Sequence, residues 1–262
     1  MPRNLKLDRP RRWALAIGVP FALAAVGYGG LTYVALVGQD SFRVQTSVAS
    51  VGTKVSVAIG NGNINVVPSP DGRDHLSGVV SYSLVRPRVY WRNTTAGPVL
   101  EGPNCPFFGN CGATLTLSVP LGQATGASTG SGDLRASRLA GALTLRDGSG
   151  NIAMDHLSGP LVLSDSSGDI SGSHLSAANV LAFAGSGDVE LSFDRAPHEV
   201  RVNDSSGDIT IQVPTSVSYH VVASASSGST DIAVSSDPAA PRVIYLTDGS
   251  GDIRVVPAPS NT

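Results

Sequence analysis

A short phrase recurs along the chain and limits what it can fold into. It is clearest as Asp165-Ser166-Ser167-Gly168-Asp169-Ile170 and Asp204-Ser205-Ser206-Gly207-Asp208-Ile209. Relatives stand at Gly132-Asp133-Leu134, Gly150-Asn151-Ile152, Gly187-Asp188-Val189 and Gly251-Asp252-Ile253, with a blurred copy over Gly228 to Ile232 and an early one at Gly62-Asn63-Ile64. From residue 132 the glycines are spaced 18, 18, 19, 20, 21 and 23 residues apart. Such a period marks a solenoid, in which a rung cannot bury its apolar face without its neighbours. Seven and five residues before the glycines stand Leu143 and Leu145, Leu161 and Leu163, Val180 and Ala182, Val200 and Val202, Val221 and Ala223, Ile244 and Leu246, and, in the early copy, Val55 and Val57. Alternation at period two predicts one strand before each glycine and another after it. The expected fold is all-β, a single-stranded, β-helix-like solenoid of 18–23 residue rungs, about eight of them and so roughly 38 Å long.

Glycine reaches positive φ without steric penalty, and an adjacent Asp or Asn can bond its own backbone two residues on, so turn chemistry alone accounts for the phrase. Stacking the rungs places Asp133, Asp169, Asp188 and Asp208 in one column and Asp147, Asp165, Asp204 and Asp248 in a second. Stacked like charges raise the question of a cation, and Asp165, Asp169, Asp188, Asp204 and Asp208 are weak candidates for Ca²⁺. Calcium-binding nonapeptide repeats place their Asp differently and recur every nine residues. The expectation is therefore no metal and no cofactor.

Residues 1–12 are basic, with five cationic residues against Asp8, and Trp13 to Gly38 runs 26 residues without a charge. As a helix that run reaches about 39 Å, enough to span a bilayer. The basic flank places the N-terminus in the cytoplasm and the rest outside a cell membrane crossed once. The alternative is signal cleavage near Ala22-Leu23-Ala24, which also exports the remainder. The organisation expected is thus a tail over 1–12, a transmembrane helix over 13–38, a juxtamembrane linker or lead-in strand over 39–54, a solenoid over 55–257 and a short tail over 258–262.

An insertion, 69–113, interrupts the solenoid before Leu115 to Val119 resumes it. It carries Arg86, Arg88 and Arg92 around Tyr90 and Trp91, and the loop Cys105-Pro106-Phe107-Phe108-Gly109-Asn110-Cys111. Outside the membrane Cys105 and Cys111 are expected to form a disulfide; two Cys alone are too few for a metal centre. Phe107 and Phe108 either form a docking knob or cap the solenoid end. Arg86, Arg88, Trp91 and Arg92 are candidate contacts for headgroups or an anionic wall polymer, against the plainer reading of a solvated strand face.

Removing the +4 of residues 1–12 from the total of −2 leaves −6 on the rest. That balance argues against nucleic acid as a partner. The aspartates also fail as a catalytic set, because all lie on the repeat register, whereas a catalytic constellation breaks it at one place. His156 and His174 each fall six residues after a repeat glycine and should stack, with Arg138 in the equivalent place one rung earlier. They read as exposed turn histidines, or as a pH-responsive pair or partial metal site. No nucleophile with a base and no phosphate loop is visible, so no enzyme is expected.

The repeated Ser-Gly-Asp-Ile turns behind a basic tail and one apolar span resemble the bacterial putative-adhesin, or "toastrack", domain family of unknown function, over roughly residues 55 to 257. The resemblance implies an extracytoplasmic β-solenoid tied by association to adhesion or envelope stress signalling, with no settled ligand residues. The functional expectation is an anchored, non-enzymatic interaction module of the envelope, partnered by an envelope protein through the ectodomain or the span. Alternatives are an adhesin or wall-polymer binder, and a cation-stabilised stalk. The final strand, Asp252 to Val256, looks uncovered on its outer edge, which predicts self-association or a partner there.

Overall fold

Alternating apolar residues give each short strand one dry face, and stacking is the only way for a rung this small to keep it dry. The computed structural model describes residues 39–48, 54–95, 97–102 and 111–259, and all twenty of its named elements are strands. β1 (Gln39–Val48) leads in, and β2 (Lys54–Pro68) runs through a whole rung. β3 (Asp74–Ser83), β4 (Tyr90–Thr94) and β5 (Gly97–Glu101) come from the insertion, and β6 (Cys111–Val119) follows it. The rest come in pairs split by the glycine turn: β7 (Ala124–Ser131) and β8 (Leu134–Ser137), β9 (Leu143–Asp147) and β10 (Ile152–Asp155), β11 (Leu161–Asp165) and β12 (Ile170–Leu175), β13 (Asn179–Ala184) and β14 (Val189–Phe193), β15 (Glu199–Asp204) and β16 (Ile209–Val213), β17 (His220–Ser227) and β18 (Thr230–Ile232), β19 (Val243–Ser250) and β20 (Ile253–Pro257).

Strands before the turns pair in parallel into one sheet, B, and strands after them into another, A. The chain returns from A to B through a short segment that is also bonded rung to rung, as where the Ser158 N–H donates to Leu139 O (3.0 Å) and the Ser176 N–H to Leu157 O (2.8 Å). Leu143, Leu145, Leu161, Leu163, Val200, Val202, Ile244 and Leu246 all point inward and are buried, as their offsets from the glycines require. Leu139 and Leu157 close the third side of the core.

Both ends depart from sequence order. At the C-terminal end β19 and β20 insert between the β15–β16 rung and the β17–β18 rung, pairing with both. The final strand is therefore interior, which corrects the expectation of an uncovered edge over Asp252 to Val256. The end rung is β17–β18, the blurred copy. The physical reason is apolar content: an interior rung is sandwiched between two neighbours, and Ile244, Leu246, Ile253 and Val255 are at most 1 % exposed there. Val221, Ala223 and Ile232 of the outer rung are only partly buried. Tyr219, fully buried with its hydroxyl donating to Pro214 O (2.9 Å), fills the core beneath that end.

The N-terminal end repeats the exchange. β5 pairs with the first half of β2 in sheet B and β6 with its second half in sheet A, so these insertion strands build a rung outside β2. β3 then extends sheet A antiparallel to β6, β1 lies antiparallel on β3, and β4 covers β5. The insertion is thus an end cap that shares the core through Leu76, Val80 and Leu100, and residues 39–48 form the edge strand β1, the lead-in strand of the two readings. Nine rungs stack among the described residues. No helix among them is long and apolar enough to cross a membrane, and the expected span, 13–38, lies outside them.

Candidate functional site

The turns use their carboxylates in two ways, and the sequence-based assignment of the first is corrected. The residue after each glycine bonds the neighbouring rung instead of its own backbone. Asn63 Oδ1 accepts from the Asp133 N–H, Asp133 from Asn151, Asn151 from Asp169, Asp169 from Asp188, Asp188 from Asp208, Asp208 from Asp252 and Asp252 from Ser229, at 2.8–3.3 Å. An unbroken ladder along seven interfaces results, and Asn serves as well as Asp because only the oxygen is needed. Four aspartates at or near the ends of sheet B strands do bond two residues on: Asp147, Asp165, Asp204 and Asp248 accept from Ser149, Ser167, Ser206 and Ser250. These four are buried, and their Oδ2 atoms find no hydrogen-bond partner among the described residues. Register pairs Asp147 with Asp165 and Asp204 with Asp248, with Ala184 between the two pairs.

Burial pushes the Asp147, Asp165 and Asp204 carboxyls above the usual range, and Asp165 reaches about 6, helped by the neighbouring Asp147. The sign follows by linkage. Asp165 titrates near 3.9 when unfolded, so the folded state holds its proton more tightly; that stabilisation is complete below about pH 4 and is lost as pH rises through about 6. Asp252 has the opposite shift, lowered by the Ser229 N–H and then the Ser229 hydroxyl. Its contribution is present above the unfolded value and lost as pH falls below it. The temperature of thermal unfolding is therefore expected to peak near pH 4–5 and decline towards pH 7.5. Asp165→Asn, which keeps the Oδ1 acceptor, should remove on the order of 1–2 kcal/mol of that decline. A variant whose profile between pH 4 and 7.5 superimposes on the parent would show that Asp165 does not carry the effect.

On the outer face of sheet A, Asn65, Arg135, Ala153, Ser171 and Glu190 lie in one row across five strands. The short side chains of Ala153 and Ser171, between Arg135 and Glu190, leave a groove of about 460 Å³, which Asp155 and Ser173 line on one side. Arg135 is tied to Asp133 (2.8 Å) and Glu190 accepts from Gln212 Nε2 (3.1 Å), so the flanking charges are held in place. This groove was not foreseen; its signal is two small outward residues at equivalent positions of consecutive rungs.

The insertion candidates are partly engaged within the chain. The Arg86 guanidinium sits 4.3 Å over the Phe42 ring, Arg92 pairs with Glu101, and Trp91 is half-buried against the core. Arg86 and Arg88 are exposed and line a wider groove of about 970 Å³ with Phe42, Arg43 and Tyr90. There is no free cysteine among the described residues. Cys111 opens β6, whereas Cys105, Phe107 and Phe108 lie outside those residues. His156 and His174 stack as their spacing requires, with ring centroids 4.4 Å apart.

A parallel β-solenoid with glycine-turn rungs, end-capped and grooved on one sheet, is the class of protein that fold and surface define. The chain belongs to the Toastrack DUF4097 family, which matches residues 114–256. No curated protein matches the sequence. Among solved structures, it is similar to a putative adhesin from Bacteroides fragilis (19 % identity, 82 % of this chain and 97 % of that one, TM-score 0.49). It is also similar to a putative adhesin from Parabacteroides merdae (10 %, 82 % and 96 %, 0.49) and to a putative cell adhesion protein from Clostridium sporogenes (14 %, 83 % and 99 %, 0.39).

Proposed function

We propose that this chain is a non-enzymatic interaction module, anchored in the cell membrane by residues 13–38, whose extracytoplasmic solenoid docks an extended segment of an envelope protein on sheet A. The observation that carries this is the groove flanked by Arg135 and Glu190. It runs across strands that are hydrogen-bonded on both edges, so it is rigid, and its opposed charges suit a dipolar peptide strand better than a uniformly charged polymer. The ladder aspartates support a non-enzymatic role, since each Oδ1 already holds a backbone N–H. A disulfide between Cys105 and Cys111 would close the insertion loop at the far end of the solenoid.

Crosslinking the full-length protein in its native membrane, with a tagged C-terminus and mass-spectrometric identification, tests the proposal. A reproducible membrane protein whose recovery collapses in Arg135→Glu/Glu190→Arg is the expected result. Recovery of wall polymer alone, or of the chain alone, would rule it out. One observation favours a second reading, as an anionic-polymer binder: Arg43, Arg86 and Arg88 line the wider groove, and in that case Arg86→Ala/Arg88→Ala would lose polymer binding while the sheet A pair would not.

A further inference from the structure

The corner where sheet A gives way to the return segment has the same backbone on three successive rungs. Arg138, His156 and His174 are all left-handed there, with φ of 55°, 52° and 52°. Rung-to-rung bonds hold it: the Arg138 N–H donates to Asp155 O (3.0 Å) and the His156 N–H to Ser173 O (3.1 Å). The two imidazoles are consequently stacked, 21° from parallel. Both turn Nδ1 to one carboxylate, His156 to Asp155 Oδ2 at 2.7 Å and His174 to Asp155 Oδ1 at 3.0 Å, and Ser173 Oγ donates to Oδ1 at 2.9 Å. Burial raises the Asp155 carboxyl, but the bonds from His156, His174 and Ser173 outweigh it and hold the group at about 2.

We infer that Asp155, His156 and His174 form a binding site for a borderline divalent transition-metal ion of the Zn²⁺ class. Their ligand atoms lie within 4.8 Å of one another, and no other group of three or more His, Cys, Asp or Glu among the described residues does this. Two imidazoles and a carboxylate are the donor set that Zn²⁺ and its neighbours favour, whereas Ca²⁺ and Mg²⁺ take oxygen ligands. Ligand bonds of about 2.0–2.1 Å place tetrahedral donors about 3.4 Å apart. Each imidazole nitrogen already lies within that distance of one Asp155 oxygen, His156 of Oδ2 and His174 of Oδ1, so small side-chain shifts would bring the three donors around one ion. The two rings are about half exposed and can pivot on a fixed backbone. The ion would displace the protons shared with Asp155, while Ser173 steadies the carboxylate from outside. Three protein ligands leave one position of a four-coordinate ion open. Arg138, next in the column, is exposed.

Asp155 and Ser173 also line the sheet A groove, but metal binding does not require a partner docked there, and the test is separate. The full-length chain, purified in detergent through a tag without histidine, is titrated with Co²⁺ and then with Zn²⁺. Visible Co²⁺ bands that saturate at one ion per chain, are bleached by Zn²⁺ and weaken on acidification are expected, since both imidazoles must be neutral to ligate. In His156→Asn/His174→Asn affinity should fall at least about tenfold; Asn is chosen because it tolerates the left-handed backbone. Should that variant fail to fold, Asp155→Asn decides, with the same loss expected. No saturable Co²⁺ or Zn²⁺ binding by the parent chain, or binding of equal stoichiometry and affinity in the folded variants, overturns the assignment.

Discussion

Gly207→Val is expected to leave no cooperatively folded protein. A Cβ there would lie 2.2 Å from Gly187 O and 2.7 Å from Gly187 C, both backbone atoms of the next rung, and φ is +148°. No rotamer relieves a clash with backbone, so the rungs would have to part. Parting them breaks the ladder on both sides, where the Gly187 N–H donates to Ser206 O and the Gly207 N–H to Ser250 O, each at 3.0 Å. The loss should exceed about 4 kcal/mol, a large share of the 5–15 kcal/mol by which a typical domain is stable. Gly72 is the control. It also has positive φ, +70°, but no atom lies within 4 Å of an added Cβ, so Gly72→Ala should cost only on the order of 1 kcal/mol. Circular dichroism and urea unfolding read both. A Gly207→Val protein that melts within about 1 kcal/mol of the parent would show that the rungs do not stack this closely.

The second large effect separates the two possible orders of the terminal rungs. Ile253 in β20 is fully buried, with β16 on one side and β18 on the other, whereas Ile232 in β18 is only partly buried. Ile253→Ala should therefore destabilise by about 3–4 kcal/mol and Ile232→Ala by about 1. Hydrogen exchange should follow the same order. The Ile253 N–H donates to Ser229 O at 2.9 Å, so amides of β20 should be among the slow set while those of the outer rung exchange through local opening. If the rungs instead stacked in sequence order, β18 would be the protected strand and Ile232 the costly residue. The outcome also locates the strand edge available for self-association at the C-terminal end, which belongs to β17 and β18.

The ladder and the corner site show what can be read from one chain and where reading stops. The register of Leu143, Leu161, Val200 and Ile244 before their glycines is a local property, and the structure keeps it at each of those rungs. The stack of His156 on His174 was legible for the same reason, since equal offsets in equal rungs must coincide. Asp155 was not singled out, although it precedes His156 directly and its counterpart one rung on is Ser173. Its role depends on where two rings turn, which backbone register alone does not state. The turn aspartates likewise go where local sequence does not say: an Asp beside a glycine can bond forward along its own chain or across to the next rung. Only the rung spacing decides between them.

By itself the sequence determined the solenoid, its period, which residues face inward and which positions exclude a side chain, because each follows from repetition and backbone sterics within one rung. The tertiary structure alone decided the order of rungs at both ends, the conversion of the insertion into a cap and the convergence on Asp155. Parallel rungs present nearly identical edges, so local sequence does not say which will be neighbours. That choice falls to non-local burial: the apolar rung of Ile244, Leu246, Ile253 and Val255 takes the place with two neighbours, and the weaker rung of Val221, Ala223 and Ile232 takes the end.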